Sequence, residues 1–194
     1  MILAQDFYIR NTKKVAIDLL GKILYHTNAD GVTTSGRIVE TEAYMGIKDP
    51  ACHTFGDRRT ARTEFMYQRG GHSYVYLIYG MYSCLNVVTQ TEKEPEAVLI
   101  RATEPVPRPS EKVPKNLLHT NGPGKLCRHL GITREHNGLK LWKKNSGLWI
   151  EEDDYKIKSS NIAKVPRIGV DYAGDAAQWP LRFYLKDSPW ISRK

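Results

Sequence analysis

No stretch of this 194-residue chain comes near the roughly 20 consecutive apolar residues that a membrane-spanning helix requires. The opening residues, MILAQDFYIRNTKK, reach Asp6 and Arg10 too soon to hold the apolar centre of a secretory leader. A cytoplasmic protein without membrane attachment is therefore expected, nucleoid-associated if the source is bacterial. Cysteine is scarce: Cys52, Cys84 and Cys127 are odd in number, widely spaced and form no CxxC pair. That argues against a disulfide scaffold or a structural zinc and suits a reducing compartment. Cys52 and His53 are adjacent, but neighbouring side chains of an extended chain point apart, so no metal site and no cofactor are expected there. Internal repeats and a second hydrophobic block are also missing. The expectation is one domain over residues 1–194, long enough to bury its own core.

Acidic residues are in the minority, with 21 Asp and Glu against 29 Lys and Arg and a formal net charge of +8. Such an excess favours polyanionic partners, because neutralised phosphates release counterions. Tyrosine is the abundant aromatic, 11 residues against four each of Phe and Trp, and it is concentrated around Tyr74–Tyr82, where the rings could grip a flat base.

The pattern along the chain predicts short elements of both kinds. Thr12–Leu20 has apolar residues at helical spacing, with Thr12 as N-cap and Gly21 as stop. Residues Gly21–Tyr25 and Thr33–Tyr44 read as strands around the turn Asn28–Gly31, and Asp49–Thr63 as a polar loop. Further strands are predicted at Ser73–Tyr79, Ala97–Ala102, Leu148–Ile150 and Arg182–Leu185, and a short helix at Gly124–Leu130. Pro105–Pro114, with four prolines, reads as an exposed linker. The fold class is α+β: one compact mixed domain with a largely antiparallel, curved sheet and a protruding β-hairpin.

Two patches carry possible chemistry. In GRIVETEAY, Glu40 and Glu42 lie two apart on a strand and share a face, with Tyr44 next along it. A solvated polar face would explain the pair, but Val39 and Ala43 imply a packed opposite side. Like charges so close call for a cation, and Arg101 could supply it; a carboxylate held beside an arginine can orient and deprotonate a water. In YVYLIYGMY, Tyr74 reads as core, whereas Tyr79-Gly80-Met81-Tyr82 reads as a turn whose apolar tip suits insertion between base pairs. Arg58, Arg59 and Arg62 are the first candidates for phosphate contacts, with Lys125 and Arg128 second. Three functions remain open on these residues. One is an enzyme acting on nucleic-acid bases. The others are a magnesium nuclease using Glu40, Glu42 and Asp49, and a non-catalytic module stacking bases on Tyr74, Tyr76 and Tyr79.

Six ordered blocks discriminate among these. GRIVETEAY with the later His53, YVYLIYGMYSCLN, VLIRATEP, NGPGKL, PRIGVDYAG and PLRFYLKDSPWIS together resemble the alkyladenine (3-methyladenine) DNA glycosylase family, over nearly the whole chain from about Ala4 to Ser192. The resemblance implies a monofunctional, metal-free enzyme that flips a damaged purine out of double-stranded DNA and hydrolyses its N-glycosidic bond. It implies that Glu42 is the base activating the water, with Arg101 and the backbone carbonyl of Ile168 holding that water. It further implies that Tyr44, His53 and Tyr76 stack on the flipped base, that Asn86 obstructs the amino group of guanine, and that Tyr79 fills the gap in the duplex. Met81 and Tyr82 complete the tip. Glu40 is left as structural, and a monomer is expected. Ala61 and Gly70 stand where relatives often carry proline, which should loosen two loops.

Overall fold

The computed structural model describes residues 1–106 and 120–194, and its plan is set by one strand of 12 residues, Thr33–Tyr44 (β2). Ile23–Thr27 (β1) precedes it, and Ser73–Ile78 (β3), Tyr82–Thr89 (β4) and Glu96–Pro105 (β5) follow. The later strands are Leu148–Glu151 (β6), Ile162–Val165 (β7) and Arg182–Leu185 (β8). The sheet runs β3-β4-β5-β2-β1-β6, with β8 on β2 and β7 on β8, and the pairings are antiparallel. β5 follows β2 along one edge. On the other edge β2 exchanges neighbours, pairing with β1 through residues 33–37 and with β8 through residues 40–42.

Two irregularities mark that exchange. Ile38 faces Thr103 and Glu40 faces Ala102, so Val39 is an extra residue on β2. Thr41 then faces Ile100, so Arg101 is an extra residue on β5. A bulge bends its strand and re-aims the side chain it carries. Here it presents Arg101 to Glu40 and Glu42 together.

The main core gathers Leu19, Leu24, Ile38, Leu85, Ile100 and Phe183, among others, between the sheet and its helices. Side chains of this size each contribute about 1.5–3 kcal/mol on burial. Two satellite clusters lie beside it, around Ala51 and Val170 and around Cys52 and Met66, and Tyr44 packs against both. The helices are Gln5–Tyr8 (α1), Thr12–Asp18 (α2) and Pro123–Leu130 (α3). The α2 cap is Asn11, whose side chain accepts from the Lys14 N–H, and not Thr12. Thr12 is buried instead, its hydroxyl 2.7 Å from that of Thr89, a partner 77 residues away that no local pattern could reveal.

β3 ends at Ile78, one residue sooner than predicted, because Tyr79 and Gly80 turn back with φ of +52° and +69°. Met81 N–H closes the turn on the Ile78 carbonyl at 3.2 Å. Two successive positive φ values match the twist of a tight hairpin, but for a bulky residue such as Tyr79 that region is strained. β5 extends three residues past the predicted Ala102 and takes in Pro105; residues 107–114 of the proline-rich segment lie outside the described residues. Gly70 is held by bonds at both its N–H and its carbonyl. Its N–H donates to the Gln90 carbonyl at 2.9 Å, a bond proline could not make, and its carbonyl accepts from Gln5 at 3.1 Å.

Candidate active site

A cavity of about 640 Å³ opens between β3, β4 and the Ile168–Tyr172 turn, lined by Tyr44, His53, Tyr76, Asn86, Arg101 and Ile168 among other residues. Tyr44 and Ile168, 124 positions apart in sequence, therefore line the same cavity. The carboxylate of Glu42 lies directly behind them and is 0% exposed. Its Oε2 accepts from the Tyr44 hydroxyl at 2.9 Å and from Arg101 Nη1 at 3.2 Å, and its Oε1 accepts from the Ile168 N–H at 2.8 Å. An ionised carboxylate has about four acceptor positions. Three are occupied, and the fourth, on Oε1, has no partner among the described residues. The solvated-face explanation of Glu40 and Glu42 is overturned, since both are wholly buried. The bulge at Arg101 is the reason, because it brings a cation between them.

Charge is distributed unevenly around this floor. Burial lowers the pKa of Arg101, but Glu42 and Glu40 outweigh that effect and the net shift is upward. Tyr44 is driven well above the usual phenol value, first by burial and then by Glu42, so it donates to the carboxylate as a neutral hydroxyl. Behind Tyr44, Arg167 sits 4.8 Å over the ring and donates to Asp49 Oδ1 at 2.8 Å. Asp49 also accepts the N–H groups of Met45 and Ala51. Arginines thus occupy the places a divalent cation would take beside Glu40, Glu42 and Asp49. Among the described residues no group of three His, Cys, Asp or Glu is arranged to hold a metal ion, which removes the basis for the nuclease reading.

The opposite wall is aromatic. His53 packs edge-on to Tyr76 with centroids 4.6 Å apart and to Tyr74 at 5.9 Å. Tyr74, read from sequence as core, is buried, but its hydroxyl reaches His53 Nδ1 at 2.9 Å, so it belongs to the site as well. Arg62 Nη2 lies 3.1 Å from His53 Nε2. A guanidinium can only donate, so Nε2 accepts and the proton rests on Nδ1, which donates to Tyr74. Burial, then Arg62 and Arg58, pull the His53 pKa down to about 4. The ring is therefore neutral in the working range. Asn86 is buried and donates Nδ2–H to the Tyr74 carbonyl at 3.1 Å.

The expected DNA contacts divide. Tyr79, Met81 and Tyr82 are 83%, 70% and 40% exposed at the hairpin tip. Arg62 is exposed, and its guanidinium is directed onto His53 and lies 5.1 Å from the Tyr76 ring centre. Arg59 is engaged by Glu64 at 2.6 Å, in a solvated pair that a phosphate could displace. Arg58 is exposed and has no carboxylate partner among the described residues. Lys125 donates to Asn121 at 3.0 Å at the start of α3, which abuts Tyr82. Arg182 and Ser192, which sequence reading did not single out, both contact Glu40. The blocks PLRFYLKDSPWIS and GRIVETEAY contain both partners, but only tertiary contact pairs them.

A buried carboxylate beside an aromatic pocket, fronted by an exposed tip on a basic protein, suits chemistry on a base drawn out of a duplex, the task of a DNA glycosylase. The family profile described as Methylpurine-DNA glycosylase (MPG) matches residues 6–189. A protein of Bdellovibrio bacteriovorus, named as a candidate 3-methyladenine DNA glycosylase, is 59% identical over 194 residues, covering 100% of both chains. Similarly named proteins of Clostridium novyi and Desulfitobacterium hafniense are 44% and 45% identical, covering 99% of this chain and 98% of each relative. The chain belongs to the methylpurine-DNA glycosylase family. It is a DNA glycosylase, a hydrolase of base-excision repair acting on DNA. No helix among the described residues is long and apolar enough to cross a membrane.

Proposed function

We propose that this enzyme removes alkylated purines, 3-methyladenine among them, with Glu42 as the general base. The observation that carries the reading is the unfilled acceptor position on a carboxylate otherwise held by Tyr44, Arg101 and Ile168. A water bound there is oriented by Arg101 and by the Ile168 carbonyl. As its oxygen bonds to C1′ of the flipped nucleotide, Glu42 takes its proton. The C1′–N bond breaks and its electron pair leaves with the base. A purine alkylated at N3 or N7 is cationic and departs neutral, so it needs no acid. The neutral His53 supports this preference, because it cannot protonate a leaving base near pH 7.

Tyr44, His53 and Tyr76 are the faces that stack on the base, and a cationic ring gains more from π-faces than its neutral parent does. Asn86, one of the residues lining the cavity, obstructs the amino group of guanine. Tyr79, with Met81 and Tyr82, enters the gap left in the stack, while Arg58, Arg59 and Lys125 contact phosphates and Arg62 lines the pocket. The protein acts as a monomer in the cytoplasm, at the nucleoid of a bacterial cell, on double-stranded DNA. The test is excision from 7-methylguanine-rich DNA in EDTA, followed by alkaline cleavage of abasic sites. Wild type releases base and Glu42→Gln does not; normal release by Glu42→Gln rejects the base assignment.

A further inference from the structure

Glu40 has no part in the reaction as described, yet it is built into the same charge network. Its side chain is fully buried. Its Oε1 accepts from Arg182 Nη1 at 2.9 Å and from the Ser192 hydroxyl at 2.8 Å, and its Oε2 from the Ser192 N–H at 2.6 Å. Those three bonds already give both of its oxygens a donor. Arg101 nevertheless stands with Nε 3.3 Å from Glu40 Oε1, close enough for charge attraction though Nε–H makes no hydrogen bond. The same guanidinium donates through Nη1 to Glu42 and through Nη2 to Ser192 at 3.4 Å. The bulge that makes Arg101 an extra residue on β5 is what sets it between the two acids.

We infer, on the reading of Glu42 as base, that Glu40 is a positioning residue that divides the Arg101 charge between two carboxylates, so that Arg101 orients the water without quenching the base. A cation given wholly to one carboxylate stabilises its ionised form and weakens it as a proton acceptor. Glu40, Glu42, Arg101 and Arg182 together are neutral. Neutralising Glu40 leaves one positive charge in excess beside a sugar that itself becomes positive, and both effects slow the reaction. The other groups acting on Glu42 are Arg167, Tyr44, Tyr76, Cys84 and Tyr172. Burial pushes the three phenols and the thiol above their usual values, so all four stay neutral. The charged groups around Glu42 are then Arg101, Glu40 with its partner Arg182, and Arg167 with its partner Asp49.

The experiment is single-turnover excision of 7-methylguanine by the full chain across pH, for wild type, Glu40→Gln, Ser192→Ala and Glu42→Gln, with lesion-duplex affinity and thermal unfolding measured alongside. Glu40→Gln is expected to slow the step by about tenfold or more, to keep its affinity, and to move the acid limb of the profile to lower pH. A change of fold alone would not move that limb. Ser192→Ala keeps Glu40 charged and its backbone bond but removes one donor, so Arg101 is drawn further toward Glu40 and the limb moves the opposite way, to higher pH; that shift decides the matter if Glu40→Gln does not fold. A folded Glu40→Gln with wild-type rate and limb overturns the proposal, as does an unmoved limb in Ser192→Ala when that variant must decide. Glu42→Gln keeps the two ideas separable. If it is inactive while Glu40→Gln is normal, only the sharing of Arg101 fails; if it is active, the base assignment fails first.

Discussion

The floor of the cavity and the hairpin tip are built on opposite principles. At the floor, Glu40, Glu42, Arg101 and Arg182 are all buried and joined by short polar contacts. At the tip, Tyr79 and Met81 project into solvent from a turn whose Tyr79 and Gly80 lie in the left-handed region. Buried charge tolerates little displacement, since each ion loses its compensation when a partner moves. An exposed apolar tip costs stability in the free protein and is useful only when something covers it. The contrast assigns chemistry to the floor and capture of DNA to the tip.

The largest effect comes from breaking the floor. Arg101→Met leaves two buried carboxylates against Arg182 alone and is expected to destabilise the fold by about 3–5 kcal/mol, read as a drop in unfolding midpoint by denaturation. A loss under 1 kcal/mol would mean that the floor is solvated and the contrast false. At the tip the sign reverses. Tyr79→Asn places a residue tolerant of positive φ in the turn, and its unfolding midpoint should match or exceed that of wild type. Its affinity for a lesion duplex should nevertheless fall about tenfold with the lost stacking. A destabilised Tyr79→Asn would show that the tip is packed rather than exposed.

Smaller effects sharpen the boundary between the regions. Arg58→Ala should reduce the slope of log affinity against log salt by about one, the signature of one phosphate contact; an unchanged slope removes Arg58 from the DNA surface. His53 lies between floor and tip, with a folded pKa of about 4 against an ordinary value of 6.5. The unfolded chain takes up the proton first as pH falls. Its stabilising contribution is therefore complete above pH 6.5 and declines as pH drops toward 4. His26 and His72 are also shifted down, chiefly by burial, so comparison with His53→Asn isolates the share of His53. Identical acid-side unfolding curves for wild type and His53→Asn would contradict the shift.

Much of this arrangement was legible in the residues. β2 spans the predicted Thr33–Tyr44, and the bounds of β8 match the predicted Arg182–Leu185. Both are apolar or alternating runs closed by turn residues, where local pattern decides. The Glu-x-Glu pair and its need for a cation were also readable. What escaped was set by contacts far apart in sequence. The bulge at Arg101 arises from the register of two strands, the Ser192 bonds to Glu40 span 152 residues, and Arg62 is directed onto an acceptor that His53 offers. β7, a strand of only four residues, packs its alternate residues too weakly to show a pattern.

The decisive measurement is a crossed comparison on one lesion duplex, giving the single-turnover excision rate at saturation and the dissociation constant for Glu42→Gln and Tyr79→Ala. The account predicts that Glu42→Gln loses about 10²–10⁴ in rate and keeps its affinity. Tyr79→Ala should instead lose affinity and keep most of its rate once saturated. If Glu42→Gln excises at the wild-type rate, or Tyr79→Ala binds normally and cannot excise, the division between a reacting floor and a capturing tip is wrong.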